Sequence, residues 1–332
     1  MSVKLGMNGF GRIGRYLTRL LADEPEIELA VINARADNAS LAHLLAYDSC
    51  HGRFPGVSHN ENGLIVNGKE IAVSRQPLGQ HDWTPWDVDV VVETTGRIKD
   101  RAGLAKHLGA GAKKSVISAP CKDADITVVM GVNHQDYDPA KHDVISNASC
   151  TTNCLAPAAK VLNDEFGIVH GQMTTVHSYT MSQRILDGSH SDLRRGRAAA
   201  VSMIPTTTGA AKALSLVIPE LEGKLNGMAI RVPTPNVSLV DLTCELAKDC
   251  TAEEVNAALK AASEGPMQGN MGYSEEPLVS VDYMGSIYGG VVDALTTNVI
   301  DKRLCKLIIW YDNEAGFTNQ LLRLIKMVGK DL

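Results

Sequence analysis

Short, nearly all-apolar runs alternate with stretches of helical periodicity through the first half of the chain. Val3–Met7, Leu29–Asn33, Val88–Glu93, Ser115–Ser118 and Ile126–Met130 read as strands. Several show no polar alternation, as strands covered on both faces do. Between them, Arg12–Ala22, Leu41–Tyr47 and Asp100–Leu108 carry helix-like periodicity. This βα alternation predicts an α/β fold whose N-terminal part is a Rossmann-type, doubly wound sheet, with its ligand at the carboxyl ends of the strands. Leu64–Val66 and Ile71–Val73 flank Asn67 and Gly68 and read as a hairpin-like insert.

The texture changes after Asn147. Val169–Ser178, Gly227–Val232, Val237–Glu245 and Lys306–Tyr311 look like longer antiparallel strands, and Ala252–Ala262 like a helix capped at Thr251. A second, α+β domain with a mainly antiparallel sheet is therefore expected. The last stretch, Gly316–Val328, is helical and is expected to pack back on the first domain. The expected division is residues 1–148 with 314–332, and residues 149–313.

Bulk composition narrows the classes without choosing one. At 332 residues, two domains are the default. A net charge of −6 argues against nucleic acid as the main partner. No apolar run is long enough to cross a bilayer, and the N-terminus enters a strand-like segment without a signal-peptide core, so a cytoplasmic protein with no membrane partner is expected. Seven cysteines form an odd count without a disulfide framework. Cys150 and Cys154 lack zinc-knuckle spacing, and no metal site is expected.

Two stretches carry chemistry. Gly9, Phe10, Gly11, Arg12, Ile13 and Gly14 form a G-x-G-x-x-G between a strand and a helix. Its glycines permit a tight turn and close approach of a pyrophosphate to a helix N-terminus. The next strand ends at Asn33, and Ala34 stands where a ribose-binding carboxylate is expected. Arg35 is a planar cation suited to a 2′-phosphate; alternatively Arg35 is solvated and Asp37 serves the ribose. The segment alone leaves both open. The second stretch, Ser146–Cys154, sets Cys150 at the start of a helix, where the dipole and amide groups favour a thiolate and an oxyanion. Cys154, one turn on, reads as structural. His177, ending a strand, is a candidate base.

Asn8–Arg15, Ser146–Cys154, His177–Thr180, Asp192–Arg195, Pro205–Lys212, Arg231–Asn236 and Trp310–Glu314 together resemble the glyceraldehyde-3-phosphate dehydrogenase family, in order along essentially the whole chain. The resemblance implies phosphorylating oxidation of glyceraldehyde 3-phosphate with NAD(P) and inorganic phosphate, with Cys150 as nucleophile and His177 as base. It implies that Thr180 and Arg231 hold the substrate phosphate. Ser149, Thr151, Thr208, Gly209 and Arg195 would hold the attacking phosphate. Asn313 would orient the nicotinamide carboxamide, with Thr95, Gly96 and Ser118 bordering the cofactor. A homotetramer is also implied. His51, His134 and His190 are given surface or capping roles.

Against the family pattern, Ala34 replaces the usual Asp of NAD-specific members. Ser189 stands where they commonly carry Pro, in a loop that a neighbouring subunit presents to the ribose. Both departures resemble NADP-using relatives, so NADP is expected to serve at least as well as NAD. The rival readings are erythrose-4-phosphate dehydrogenase and, further off, the aspartate-semialdehyde dehydrogenase group. A binding-only protein would not need both Cys150 and His177.

Overall fold

Val3–Asn8 (β1) runs directly into the glycine turn from which α1 (Arg12–Leu21) leaves. The chain returns as β2 (Ile27–Asn33), parallel to β1 with Asn8 opposite Asn33. The computed structural model describes residues 2–332. Next come α2 (Asn38–Ala46), a two-stranded ladder of β3 (Tyr47–Asp48) and β4 (Gly52–Arg53), then β5 (Val57–His59), β6 (Gly63–Val66) and β7 (Lys69–Ser74). The first half finishes with β8 (Val90–Glu93), α3 (Arg101–Gly109), β9 (Lys114–Ile117), β10 (Ile126–Thr127) and β11 (Val144–Ser146).

Nine of these strands form one sheet in the order β10-β11-β9-β8-β1-β2-β7-β6-β5. Every pair from β10 to β7 is parallel, and the residues of β8 and β9 are all buried, so neither strand shows the polar alternation of a half-exposed one. Chain order reverses at β1, with β2 on one side and β8 on the other, so the crevice beyond Asn8 is the topological switch point.

The hairpin around Asn67 and Gly68 (φ 50° and 80°) extends this sheet rather than standing apart from it. Its strand β7 pairs in parallel with β2, Val31 opposite Ala72. The strand expected over Ile126–Met130 is only two residues long, and β11 was not expected. Three residues are too few for periodicity to register.

The second half opens with α4 (Cys150–Phe166) and β12 (Ile168–Ser178). After a long loop come β13 (Ile204–Thr207), α5 (Ala210–Ala213), β14 (Leu225–Val232), β15 (Ser238–Leu246) and α6 (Ala252–Glu264). The remainder is β16 (Met271–Ser274), β17 (Gly290–Asp293), β18 (Asn298–Ile300), β19 (Leu304–Tyr311) and α7 (Ala315–Gly329). The sheet order is β13-β14-β12-β15-β19-β17-β16, with β18 on β19. It is mainly antiparallel, but β12–β14 and β16–β17 are parallel pairs, where antiparallel strands are expected for β12 and β14. β15 alternates strictly between buried and half-buried residues, as a strand with one face under a helix should. That helix is α4, buried almost throughout from Thr151 to Leu162. A reciprocal capping box between Thr251 and Glu254 starts α6.

The chain divides into two compact units. The first comprises residues up to Val128, His134–Ser149 and Thr318–Leu332; the second is Val129–Asn133 and Cys150–Phe317. Helix α7 therefore belongs to the first unit from Thr318 on, where Lys326 pairs with Glu24 and Glu26 at 3.0 and 3.1 Å. Among the described residues, no helix is long and apolar enough to cross a membrane, and no cluster of His, Cys, Asp or Glu could hold a metal ion.

Candidate active site

In the first unit, the glycines after β1 are glycines for different reasons. Gly9 has φ +103°, and a Cβ there would lie 2.8 Å from the amide of Thr95. A Cβ at Gly14 would lie 2.7 Å from the Gly9 carbonyl. At Gly11 a Cβ meets nothing within 4 Å, so protein packing does not demand glycine there. The space is the mouth of a cavity of about 340 Å³ lined by Gly9, Phe10, Gly11, Asn33, Ala34, Arg35 and Thr95. Gly11 also caps α1 without a side chain, and no acidic residue occupies the first turn. Open space at a helix N-terminus fits the pyrophosphate part of a dinucleotide.

The polar residues around this cradle are tied down. Asn33 donates to Asn8 Oδ1 (3.0 Å) and the Gln76 carbonyl (3.2 Å), and accepts from the Gln76 amide (2.8 Å) and Ser74 Oγ (2.9 Å). It shapes the loop with its whole hydrogen-bonding capacity. Both oxygens of Asp37 cap α2 through the amide and hydroxyl of Ser40, each at 2.8 Å, so this carboxylate is occupied by the helix it starts. Arg35 is exposed on the cavity wall. Arg12 is expected in the cofactor site, but both terminal nitrogens of its guanidinium grip Asp48, leaving its main chain as its contribution to the cradle. Burial pushes the Asp48 carboxyl up, but Arg12 and the amides of His51 and Cys50 outweigh this and hold it well below the carboxylate range. Ile13 lies half-buried behind the turn.

Thr95 is held by the fully buried Glu93, which accepts its amide at 2.7 Å and its hydroxyl. The other Glu93 oxygen accepts from Asn8 Nδ2 (2.6 Å) and faces His107 Nε2 (3.3 Å). Trp83 Nε1 donates to His107 Nδ1 (3.2 Å), so the imidazole proton sits on Nε2 and points at the carboxylate. Gly96 follows with φ +68°, and Ser118 donates its amide and hydroxyl to the Glu93 carbonyl.

In the second unit, Cys150 is the first residue of α4. It follows the fully buried Ala148, a non-glycine residue with φ +54°. Such a conformation persists only where the surroundings enforce it, and here it sets the approach to the helix. Cys150 Sγ lies 3.6 Å from His177 Nε2. His177 Nδ1 is 2.7 Å from the Ser178 carbonyl and 2.5 Å from Arg231 Nη1. A carbonyl only accepts and a guanidinium only donates, so Nδ1 gives its proton to the carbonyl in one tautomer and accepts from Arg231 in the other; Arg231 Nη1 also donates to that carbonyl at 3.1 Å. In the tautomer with the proton on Nδ1, the Nε2 lone pair faces the thiol, as a base requires.

Burial pushes the imidazole down to about 3, with the Arg231 charge adding to the effect. Burial pushes the Cys150 thiol up, while Arg231 and the hydroxyl and amide of Thr151 pull it down. Each group alone resists ionisation; a proton passed from sulfur to Nε2 creates two opposite charges that support each other. Cys154 is fully buried, with Sγ 3.6 Å from the Ile309 carbonyl, in keeping with a structural thiol.

The remaining expected site residues divide into two groups. Parallel register sets Arg231 beside His177, and Arg231 lies near enough to Arg195 to feel its charge. Arg195 Nε donates to Thr206 Oγ1 at 2.9 Å. Thr208 Oγ1 accepts the Ala210 amide, and Gly209 is exposed with open space where a side chain would go. The others are engaged elsewhere: Thr151 bonds Tyr311 Oη (2.9 Å) and Thr180 bonds Ser182 Oγ (2.8 Å). Ser149 precedes α4 and is half-buried, and the Ser189 carbonyl accepts two bonds from Arg184 on an exposed loop. His190 Nδ1 accepts the Asp192 amide at 2.9 Å within a turn.

Sequence reasoning missed the supports. Tyr311 Oη sits between Thr151 Oγ1 and Thr175 Oγ1 (2.8 Å), and its ring meets His177 edge-on at 5.8 Å. Asp312 caps α7 through the amides of Glu314 and Ala315, fixing the turn that carries Asn313. A polar triplet in Trp310–Glu314 at the end of an apolar strand was the available signal.

A glycine cradle at the switch point of one sheet, with a cysteine–histidine pair on a second, defines an NAD-binding oxidoreductase. The family model described as the NAD binding domain of glyceraldehyde 3-phosphate dehydrogenase matches residues 3–101, and that of its C-terminal domain matches residues 149–313. The chain is 61% identical to a glyceraldehyde-3-phosphate dehydrogenase of Geobacillus stearothermophilus over 98% of its own length and 97% of the relative's. It is 59% identical to glyceraldehyde-3-phosphate dehydrogenase 1 of Bacillus subtilis over 99% of each chain, and 53% identical to glyceraldehyde-3-phosphate dehydrogenase 2 of a Nostoc species over 99% of each. The chain belongs to the glyceraldehyde-3-phosphate dehydrogenase family.

Proposed function

We propose that this chain oxidises D-glyceraldehyde 3-phosphate reversibly to 1,3-bisphosphoglycerate, with NAD(P) and inorganic phosphate. The observation that carries the reading is a helix-start thiol 3.6 Å from an imidazole nitrogen. In this reading residues 1–148 with 314–332 hold the cofactor and residues 149–313 the substrate, in a cytoplasmic homotetramer. The exposed apolar side chains of the 179–203 loop, including Met181, Ile185, Leu193 and Met203, support association with further copies.

Cys150 Sγ bonds to the aldehyde carbon while the carbonyl oxygen gains a proton, giving a thiohemiacetal. His177 Nε2 then takes the hydroxyl proton as the C–H electron pair departs and the thioester forms. The bound nicotinamide supplies the hydride acceptor for that oxidation. A phosphate oxygen adds to the thioester carbon, the C–S bond breaks, and Cys150 leaves as thiolate. Arg231 with Thr180 bind the substrate phosphate; Arg195, Ser149, Thr151, Thr208 and Gly209 receive the attacking one. An assay of reduced cofactor formation, with and without phosphate, tests this. Phosphate-dependent turnover of the triose phosphate, at least tenfold above erythrose 4-phosphate and absent in Cys150→Ser, is the expected result.

We further propose that NADP serves at least as well as NAD. The occupied carboxylate of Asp37, the lack of one at Ala34 and the exposed Arg35 support it. Ala34→Asp should move kcat/KM toward NAD by about tenfold, because the new carboxylate accepts a charge-assisted hydrogen bond from the ribose diol and repels a 2′-phosphate. A strong wild-type preference for NAD would sink this part.

A further inference from the structure

The amide of Asn313 is held from behind by two hydroxyls. Ser178 Oγ donates to Asn313 Oδ1 at 2.8 Å, and Ser238 Oγ donates to the same oxygen at 3.0 Å. Ser238 Oγ also accepts the Ser178 amide at 3.1 Å, which occupies one of its two lone pairs, while its one proton is given to Asn313. Both serines are buried, while Asn313 is partly exposed. The network thus commits the oxygen end of the amide to the protein and turns its NH2 end outward. Directly before Ser238 stands Val237, buried and with φ +66°. A β-branched residue in the left-handed region is a backbone outlier, kept only where its surroundings over-determine it. Here it delivers the Ser238 hydroxyl to this spot.

The same network also reaches His177, because the Ser178 carbonyl lies 2.7 Å from its Nδ1. Ser178 thereby joins the His177 imidazole to the Asn313 amide.

We propose that Ser238, together with Ser178, fixes which end of the Asn313 amide is presented to the nicotinamide carboxamide, and so which face of the ring is turned to the substrate. The inference rests on the proposed function and on the role that the family resemblance implies for Asn313, orienting the nicotinamide carboxamide. Half a turn about the bond between ring and ribose exchanges the two faces of the ring and moves the carboxamide to its other side. A donor of fixed direction at Asn313 favours one orientation; an amide free to flip offers donor and acceptor alike and favours neither. Ser238 is a positioning residue in this account, acting only through Asn313.

The test reads cofactor bound without turnover. Calorimetric titration of the oxidised cofactor gives Kd, and transferred nuclear Overhauser effects between ribose H1′ and ring H2 or H6 report the ring orientation. The wild-type protein should show one of the two effects. Ser238→Ala should show both, with Kd raised about five- to tenfold, the worth of one hydrogen bond. Ser238→Thr, which keeps the hydroxyl, should restore both readouts. The double variant Ser238→Ala with Asn313→Ala should bind no worse than Asn313→Ala alone.

A folded Ser238→Ala that keeps one orientation and wild-type Kd overturns the inference, as does a Kd loss that adds in full to that of Asn313→Ala. If Asn313→Ala alone changes neither readout, the role of Asn313 itself falls, and this inference with it. Should Ser238→Ala fail to fold, Ser178→Ala removes the other donor to the same oxygen, and the same results decide.

Discussion

The cofactor cradle and the cysteine pocket are built from opposite materials. Around Gly9, Gly11 and Gly14 the site consists of side chains left out and backbone brought close. Around Cys150 it consists of side chains set by their neighbours: His177 beside the Ser178 carbonyl, Asn313 under two serine hydroxyls, Thr151 against Tyr311. The first kind of site tolerates little change in its backbone and much in its surroundings. The second depends on the hydrogen-bonded shell around its side chains.

The largest expected effect lies in the pocket. His177→Asn keeps shape and removes the base, and kcat should fall by roughly 10²–10⁴-fold with cofactor Kd unchanged. A loss below tenfold would make the imidazole a bystander. The cradle comes next, with two substitutions of one chemistry. Gly9→Ala meets the Thr95 amide at φ +103°, so both Tm and cofactor affinity should drop. Gly11→Ala meets no protein atom, so Tm should hold while affinity falls by about tenfold or more. Equal Tm losses for the two would erase the distinction between packing and ligand glycines.

A smaller effect concerns charge. Arg231 lowers both the Cys150 thiol and the His177 imidazole. Removing it as Arg231→Leu raises both, so the pH profile of Cys150 alkylation by iodoacetamide should move to higher pH. A shift to lower pH would mean that Arg231 acts on the thiol chiefly by another route. Smallest is Tyr311→Phe, which leaves Thr151 and Thr175 without their shared partner at a cost of about 1–3 kcal/mol in denaturant unfolding. A kcat within a few-fold of wild type is expected alongside it.

The same contrast explains what could be read in advance. Strands β1, β2 and β8, the turn at Gly9 and the helix after Cys150 were legible because burial on both faces, a positive φ and a helix start each restrict local residue choice. Short β11, the parallel pairing of β12 with β14 and the joining of β7 to β2 were not, since pairing partners lie far apart in sequence. The site's reacting residues came from motif resemblance. Ser238, Asp312 and Glu93 escaped notice because a hydroxyl or carboxylate that orients a neighbour looks, in sequence, like any polar residue near a strand end. Asp37 shows the converse, an acidic residue offered for a ligand that serves as a helix cap.

The central claim is that one sulfur carries the acyl group between oxidation and phosphorolysis. Mixing enzyme, oxidised cofactor and aldehyde substrate without phosphate, and weighing the intact protein and its peptides, tests it most directly. The account predicts a phosphoglyceryl adduct on the peptide containing Cys150 that disappears when phosphate is added. Full turnover with no adduct, or an adduct on another cysteine, would contradict it.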